Sequence, residues 1–198
     1  MRENKTKIFI IINLLAIILV MSGCSTIKNA SSESTTKTNN TIKGTGDLFL
    51  NAQNLVQLKM MSNGTDCQTE NDYSNIVDST LGQYSICYYN IIALNDTQVT
   101  IEFNKFANLE ELNGSYQYSS LHLYSIQGLI SENDYGDQSR FRINNVNDYM
   151  GQLNNPNVTY YHLWICKDTY LIHITSSGSK DAKEYIEKIG RQILLKFG

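Results

Sequence analysis

The chain has 198 residues, 10% of them aromatic, with thirteen tyrosines, a single proline and a formal net charge of −3 from 16 basic and 19 acidic side chains. Setting aside a targeting segment and a spacer leaves roughly 150 residues, enough for one hydrophobic core and too few for two. Removing residues 1–23 takes away three basic and one acidic side chain, leaving 13 and 18 and a net charge of −5. A mildly acidic domain without clustered lysine and arginine is a poor phosphate binder, so nucleic acid is excluded as a partner.

The opening MRENKTK carries three positive charges and one negative, and residues 8–21 are apolar apart from Asn13. A basic start, a short apolar stretch and the small residues Ser22 and Gly23 before Cys24 make an export signal. The stretch is shorter than the about 20 apolar residues that a membrane span needs. The run Val20-Met21-Ser22-Gly23-Cys24 resembles the prokaryotic lipobox, with Met21 where that pattern prefers leucine. The resemblance implies a bacterial or archaeal lipoprotein signal peptide over residues 1–23 and a Cys24 that is lipidated, with palmitate-type chains, and becomes the mature N-terminus. The expected location is the extracytoplasmic face of the cell membrane, where a doubly lipidated cysteine anchors firmly and a single chain binds reversibly.

Residues 24–45 are almost entirely Ser, Thr, Asn, Lys and Gly, with too little apolar content to offset the entropy of ordering, and read as a flexible tether. Six Asn-x-Ser/Thr triplets follow the signal, at Asn29, Asn39, Asn63, Asn95, Asn113 and Asn157. They matter only in a host that glycosylates exported proteins.

The globular domain is expected over residues 46–198. Residues 51–55 suggest a short helical turn, and a loop of turn-forming residues follows from Ser62. Residues 83–93 and the alternating run 98–103 predict an antiparallel hairpin about Asn95-Asp96, with Val99, Ile101 and Phe103 facing the core. Asn108 is placed to cap a helix through Leu112 that Gly114 is expected to interrupt, and residues 116–127 read equally as helix or strand. Beyond Gly128 a polar segment leads to a strand at residues 139–143. Residues 160–166 and 170–175 predict a hairpin turning at Lys167-Asp168-Thr169. Ala182, Tyr185, Ile186, Ile189, Ile193 and Phe197 then recur at spacings of three and four, the apolar face of a C-terminal helix. The fold class is therefore α+β, a mostly antiparallel sheet with this helix packed on one face and the helices together on that side. This order, with Gly136-Asp137 and the closing hairpin and helix, is similar to the α+β domains of small prokaryotic surface lipoproteins, some of them PsbP-like. The resemblance implies a binding, sensing or assembly module.

Four residue groups bear on chemistry. Cys67 and Cys87 are candidates for a disulfide in an extracytoplasmic setting, closing about twenty residues, while Cys166 reads as a small core residue. The late hairpin would set His162, Trp164, Cys166 and His173 on one sheet face, with the two histidines diagonal neighbours. A metal there needs three or four close ligands, so the pair reads as ordinary sheet histidines and no metal or other cofactor is expected. The acidic loop 131–137 fails the EF-hand pattern, with Ser131 and Tyr135 at ligand positions and Arg142 where a bidentate glutamate belongs, and reads as a solvated turn. Tyr84, Tyr88, Tyr89, Tyr116, Tyr118, Tyr124, Tyr160 and Tyr161 are half-buried sheet residues or a ligand-binding platform, with Tyr88 and Tyr160 the candidate contacts. No nucleophile–base–acid arrangement, phosphate loop or paired catalytic carboxylate is recognisable. The expectation is a non-enzymatic module that binds a small ligand or an envelope protein; the alternatives are an extracytoplasmic enzyme and a purely structural envelope protein.

Overall fold

A computed structural model describes residues 41–63, 67–70, 81–121, 128–144 and 158–198. The signal segment, Cys24, nearly all of the tether, Tyr124 and the triplets at Asn29, Asn39 and Asn157 lie outside the described residues.

A 3-10 turn at Thr45–Leu48 leads into α1 (Ala52–Leu58), β1 (Met60–Ser62), β2 (Gln68–Glu70), β3 (Leu81–Ile91), β4 (Gln98–Phe106), α2 (Leu109–Leu121) and β5 (Leu129–Glu132). There follow β6 (Gln138–Ile143), β7 (Thr159–Lys167), β8 (Tyr170–Gly178) and α3 (Lys183–Leu194), with 3-10 turns at Lys180–Ala182 and Leu195–Phe197 on either side of α3. The strands form one eight-stranded sheet in the order β1-β3-β4-β8-β7-β6-β5, with β2 also on β3 and every pairing antiparallel. The α+β class and both predicted hairpins are as expected.

The period-2 pattern decides what each face holds. Val99, Ile101 and Phe103 of β4, Leu163 and Ile165 of β7, and Ile172 and Ile174 of β8 point to one face. Ala182 of the 3-10 turn before α3 and Ile186, Ile189 and Ile193 of α3 cover them, and all four are fully buried. Each isoleucine so buried contributes about 1.5–3 kcal/mol. Gly190 in α3 costs about 1 kcal/mol against alanine in a helix interior. Its missing side chain lets the helix approach β7, since a Cβ there would lie 3.0 Å from Leu163 Cδ2 and 3.1 Å from Ile165 Cδ1. α1 joins the same layer through Leu58, its first turn closed by the reciprocal Asn51 and Asn54 caps at 2.8 and 3.1 Å.

The helices are not all on that side. On the opposite face Phe106, Trp164, Cys166 and Leu171 make a second, smaller core with Leu112 and Tyr116 of α2. α2 therefore runs straight through Gly114, which was expected to interrupt it. Gly114 is exposed and a Cβ built on it would meet nothing within 4 Å, so it costs helix propensity and no packing. Asn108 caps the helix as expected, its Oδ1 accepting from Glu111 N at 3.0 Å. The polar segment after Gly128 contains an unforeseen edge strand, β5, whose half-exposed alternation is faint.

The disulfide Cys67–Cys87 is formed and fastens the chain entering β2 to β3 at one sheet edge. Cys166 is a free, buried cysteine whose thiol is pushed up to about 12 by burial, an inert core residue as expected. Among the described residues no helix is long and apolar enough to cross a membrane.

Candidate functional site

The second sheet face is apolar where α2 lies and polar beyond it. Register sets the pattern: Ile86, Glu102, His173, Trp164 and Arg140 form one rung across β3, β4, β8, β7 and β6. Tyr88, Thr100, Thr175, His162 and Arg142 form the next. His162 and His173 are thus diagonal neighbours on the face with Trp164 and Cys166, as the hairpin reading places them.

Their rings are joined to polar groups on both sides. Tyr84 Oη donates to Glu102 Oε1 at 3.0 Å, and Glu102 Oε2 lies 2.8 Å from His173 Nδ1. His173 Nε2 is 3.1 Å from His162 Nδ1, and His162 Nε2 is 2.9 Å from Asn144 Nδ2. The indole of Trp164 stacks on His173 with centroids 4.6 Å apart and on His162 at 5.3 Å, and the two imidazoles stack at 5.3 Å. The result is a hydrogen-bonded row from β3 to the end of β6, walled on one side by the Trp164 ring.

Burial alone would raise the Glu102 carboxyl. The hydrogen bond and charge of His173, then the bond from Tyr84, outweigh it and hold the group below its ordinary value. His162 goes the other way. It is 8% exposed, and burial, then the charges of His173 and Arg142, push its imidazole down to about 3, so it is neutral at physiological pH.

At the other end of the rung α2 docks through polar contacts. Arg140 Nη1 donates to Ser120 Oγ at 2.6 Å while its Nε pairs with Glu132 at 2.8 Å, and its guanidinium lies 5.5 Å from the Tyr116 ring centre. Arg142 Nη1 reaches the Ser120 carbonyl at 3.3 Å. Such docking leaves little amphipathic signal, which is why residues 116–127 read equally as helix or strand.

No protein-family model and no curated protein matches the chain. Among solved structures it is similar to the extracellular domain of PknH from Mycobacterium tuberculosis, with 9% identity, a TM-score of 0.42, and coverage of 75% of this chain and 93% of that one. At that identity and score the likeness transfers neither residues nor function.

The other candidates sort by strand parity. Tyr88, 38% exposed, and the half-buried Tyr160 lie on the same polar face as the histidine row, while Tyr89 and Tyr161 point to the α3 side and are core. Burial pushes the Tyr89 hydroxyl up to about 12. Tyr116 is buried under α2 and Tyr118 is exposed on it.

The loop 131–137 is an exposed turn as expected over residues 132–134 and 136–137, but not at Tyr135. Tyr135 is buried in the main core, with the Arg191 guanidinium 5.0 Å from its ring centre. Gly136 takes φ +60 and its neighbour Asp137 N donates to the Cys166 carbonyl at 2.8 Å. The Asp137 carboxylate is engaged by Lys167 Nζ at 2.8 Å and Asp168 N at 2.9 Å, and the Lys167 bond is the main cause of its lowered carboxyl. These contacts clip the β5–β6 turn onto the β7–β8 turn. Among the described residues no three His, Cys, Asp or Glu side chains are grouped to hold a metal ion.

The sequence reading missed Glu102, Tyr84 and Asn144 as partners of the histidines. A carboxylate at a polar-face position of β4 was the available signal, but it has meaning only once β4 is known to pair with β8, 71 residues away.

Proposed function

We propose that this chain is a lipoprotein of the prokaryotic cell envelope, tethered through Cys24, whose domain binds a small ligand or another envelope protein and is not an enzyme. The observation that carries the binding reading is the polar part of the second sheet face, where the exposed Tyr88 and half-buried Tyr160 flank a row of fixed polar side chains. Tyrosines there offer contact area at small entropic cost, over a floor already ordered by hydrogen bonds. The same row supports the non-enzymatic reading. All four imidazole nitrogens are engaged within it, so neither ring presents a lone pair to an outside substrate as a general base must. The Cys67–Cys87 disulfide fits export, since such bonds persist in oxidising compartments.

The test is a thermal-shift screen against sugars, peptides, metals and cell-wall fragments, repeated with Tyr88→Ala and Tyr160→Ala. A ligand at a hundred times its Kd adds about 2.7 kcal/mol, several degrees for a domain of this size. The expected result is a shift that shrinks in both variants while their unliganded Tm holds. A Tm collapse in the variants would place the rings in the core, and turnover lost in His162→Gln would replace binding with catalysis. For the anchor, Cys24→Ser is expected to leave the precursor uncleaved; a processed, equally membrane-bound variant would refute lipidation.

A further inference from the structure

We propose that the row Glu102, His173, His162 and Asn144 is a one-proton switch: uptake of one proton reverses the hydrogen bonds from His173 to Asn144 and turns the Asn144 amide over. This stands independently of the binding reading, because it follows from donor and acceptor accounting within the row.

The Glu102 carboxylate has only acceptors, so His173 must carry a hydrogen on Nδ1, 2.8 Å away. In neutral His173 the other nitrogen, Nε2, then holds a lone pair and accepts. His162 Nδ1 at 3.1 Å must therefore be an N–H, which leaves a lone pair on His162 Nε2. The group facing that lone pair at 2.9 Å is the Asn144 amide nitrogen, a donor. One acceptor-only carboxylate thus orients the whole row, every hydrogen pointing toward β4.

Adding one proton inverts this. The Nδ1 hydrogen of His162 passes to His173 Nε2 while the incoming proton binds His162 Nε2, so the charge resides on His173 beside Glu102 and His162 stays neutral in its other tautomer. His173 is the favoured holder, because it contacts the carboxylate while His162 is buried beside Arg142. An N–H on His162 Nε2 then faces an amide NH2, and the conflict is relieved by rotating that amide so that Oδ1 accepts. Asn144 Oδ1 is buried and, among the described residues, has no partner in the present orientation.

The titratable and charged surroundings come from each element on this face. β3 supplies Tyr84, β4 Glu102, β6 Arg140 and Arg142, and β5 Glu132, which pairs with Arg140. α2, packed over Trp164, carries Glu110, Glu111 and Tyr116. Of these, Glu102 touches His173 directly, and Arg142 bears on His162. The backbone N–H of Asn144 donates to the Tyr160 carbonyl at 2.9 Å, so the residue whose side-chain amide turns is anchored through its main chain to the strand carrying one of the candidate binding tyrosines.

The experiment is a pH titration of the full chain, 15N-labelled at histidine and held in detergent, by long-range proton–nitrogen spectra that report each ring's tautomer. His122→Gln leaves only the two rings of interest. The expected result at high pH is an Nδ1–H tautomer for both rings. On acidification a single one-proton step follows, in which His173 becomes imidazolium and His162 changes to Nε2–H without charging. Asn144→Asp, which puts a permanent acceptor opposite His162, is expected to raise the midpoint by a pH unit or more. A His162 that is Nε2–H at high pH, that charges in the same step, or that keeps its tautomer throughout would overturn the proposal. So would a midpoint unchanged in Asn144→Asp.

Discussion

Replacing His162 by Gln should flatten the dependence of stability on pH between 7 and 5. The imidazole is held near 3 in the fold, first by burial and then by the charges of His173 and Arg142, against about 6.5 in an unfolded chain. A group whose value is depressed by folding stabilises fully above its unfolded value and loses that contribution as pH falls toward the folded one. Here the window runs from about 6.5 down to about 3. Over it the unfolded chain binds a proton that the native state refuses, so stability declines by up to about 1.4 kcal/mol per pH unit. Between pH 7 and 5 the loss from this side chain is about 2 kcal/mol, and it depends little on the exact folded value because both measurements lie above it. The assay is urea denaturation of wild type and His162→Gln at both pH values, with the same m-value required in all four curves. The variant is expected to start less stable at pH 7, having lost the stack and the hydrogen bonds, and to lose about 2 kcal/mol less than wild type on going to pH 5. Parallel pH dependences in the two proteins would refute the argument, and with it the claim that His162 is neutral in the fold.

Reducing the Cys67–Cys87 bridge, or replacing both cysteines by Ala, should cost about 3 kcal/mol from the freed loop of some twenty residues, seen as a Tm fall of several degrees; an unchanged Tm would mean that the edge contributes nothing. Gly136→Ala should destabilise by about 2 kcal/mol or more, measured by urea denaturation. The residue sits at φ +60, where a side chain is strained, and the new Cβ would press on the Cys166 carbonyl and lie 2.8 Å from Ile165 Cγ2. A neutral result would show the turn free to move away from β7.

The histidine row shows how far pattern reading carries. Placing His162, Trp164, Cys166 and His173 on one face needed only the tight turn at Asp168 and the two-residue period of strands, both local. Finding Glu102 opposite His173 needed the β4–β8 pairing, a contact that no spacing along the chain encodes. Trp164 and Cys166 alternate with Leu163 and Ile165, and every residue from 161 to 166 is buried, so the run announces a strand covered on both sides without saying by what. The cover on the side away from α3 proved to be α2, held by a small apolar contact through Leu112 and Tyr116 and by the bonds of two arginines to Ser120.

By itself the sequence determined those features whose physics is local: the apolar stretch before Cys24, the Ser-, Thr- and Asn-rich composition of residues 24–45, the two hairpins, and the face of α3 that carries Ile186, Ile189 and Ile193. Tertiary structure alone decided that the second sheet face has its own small core, that Tyr135 leaves solvent to enter the main one, and that Cys67 meets Cys87. It also decided that two histidines on one hairpin become the middle of a row that begins at Tyr84 on β3 and ends at Asn144 after β6. The reason is the same in each case. Burial and hydrogen-bond partners on a sheet are set by the order of strands side by side, and that order is a property of the whole chain.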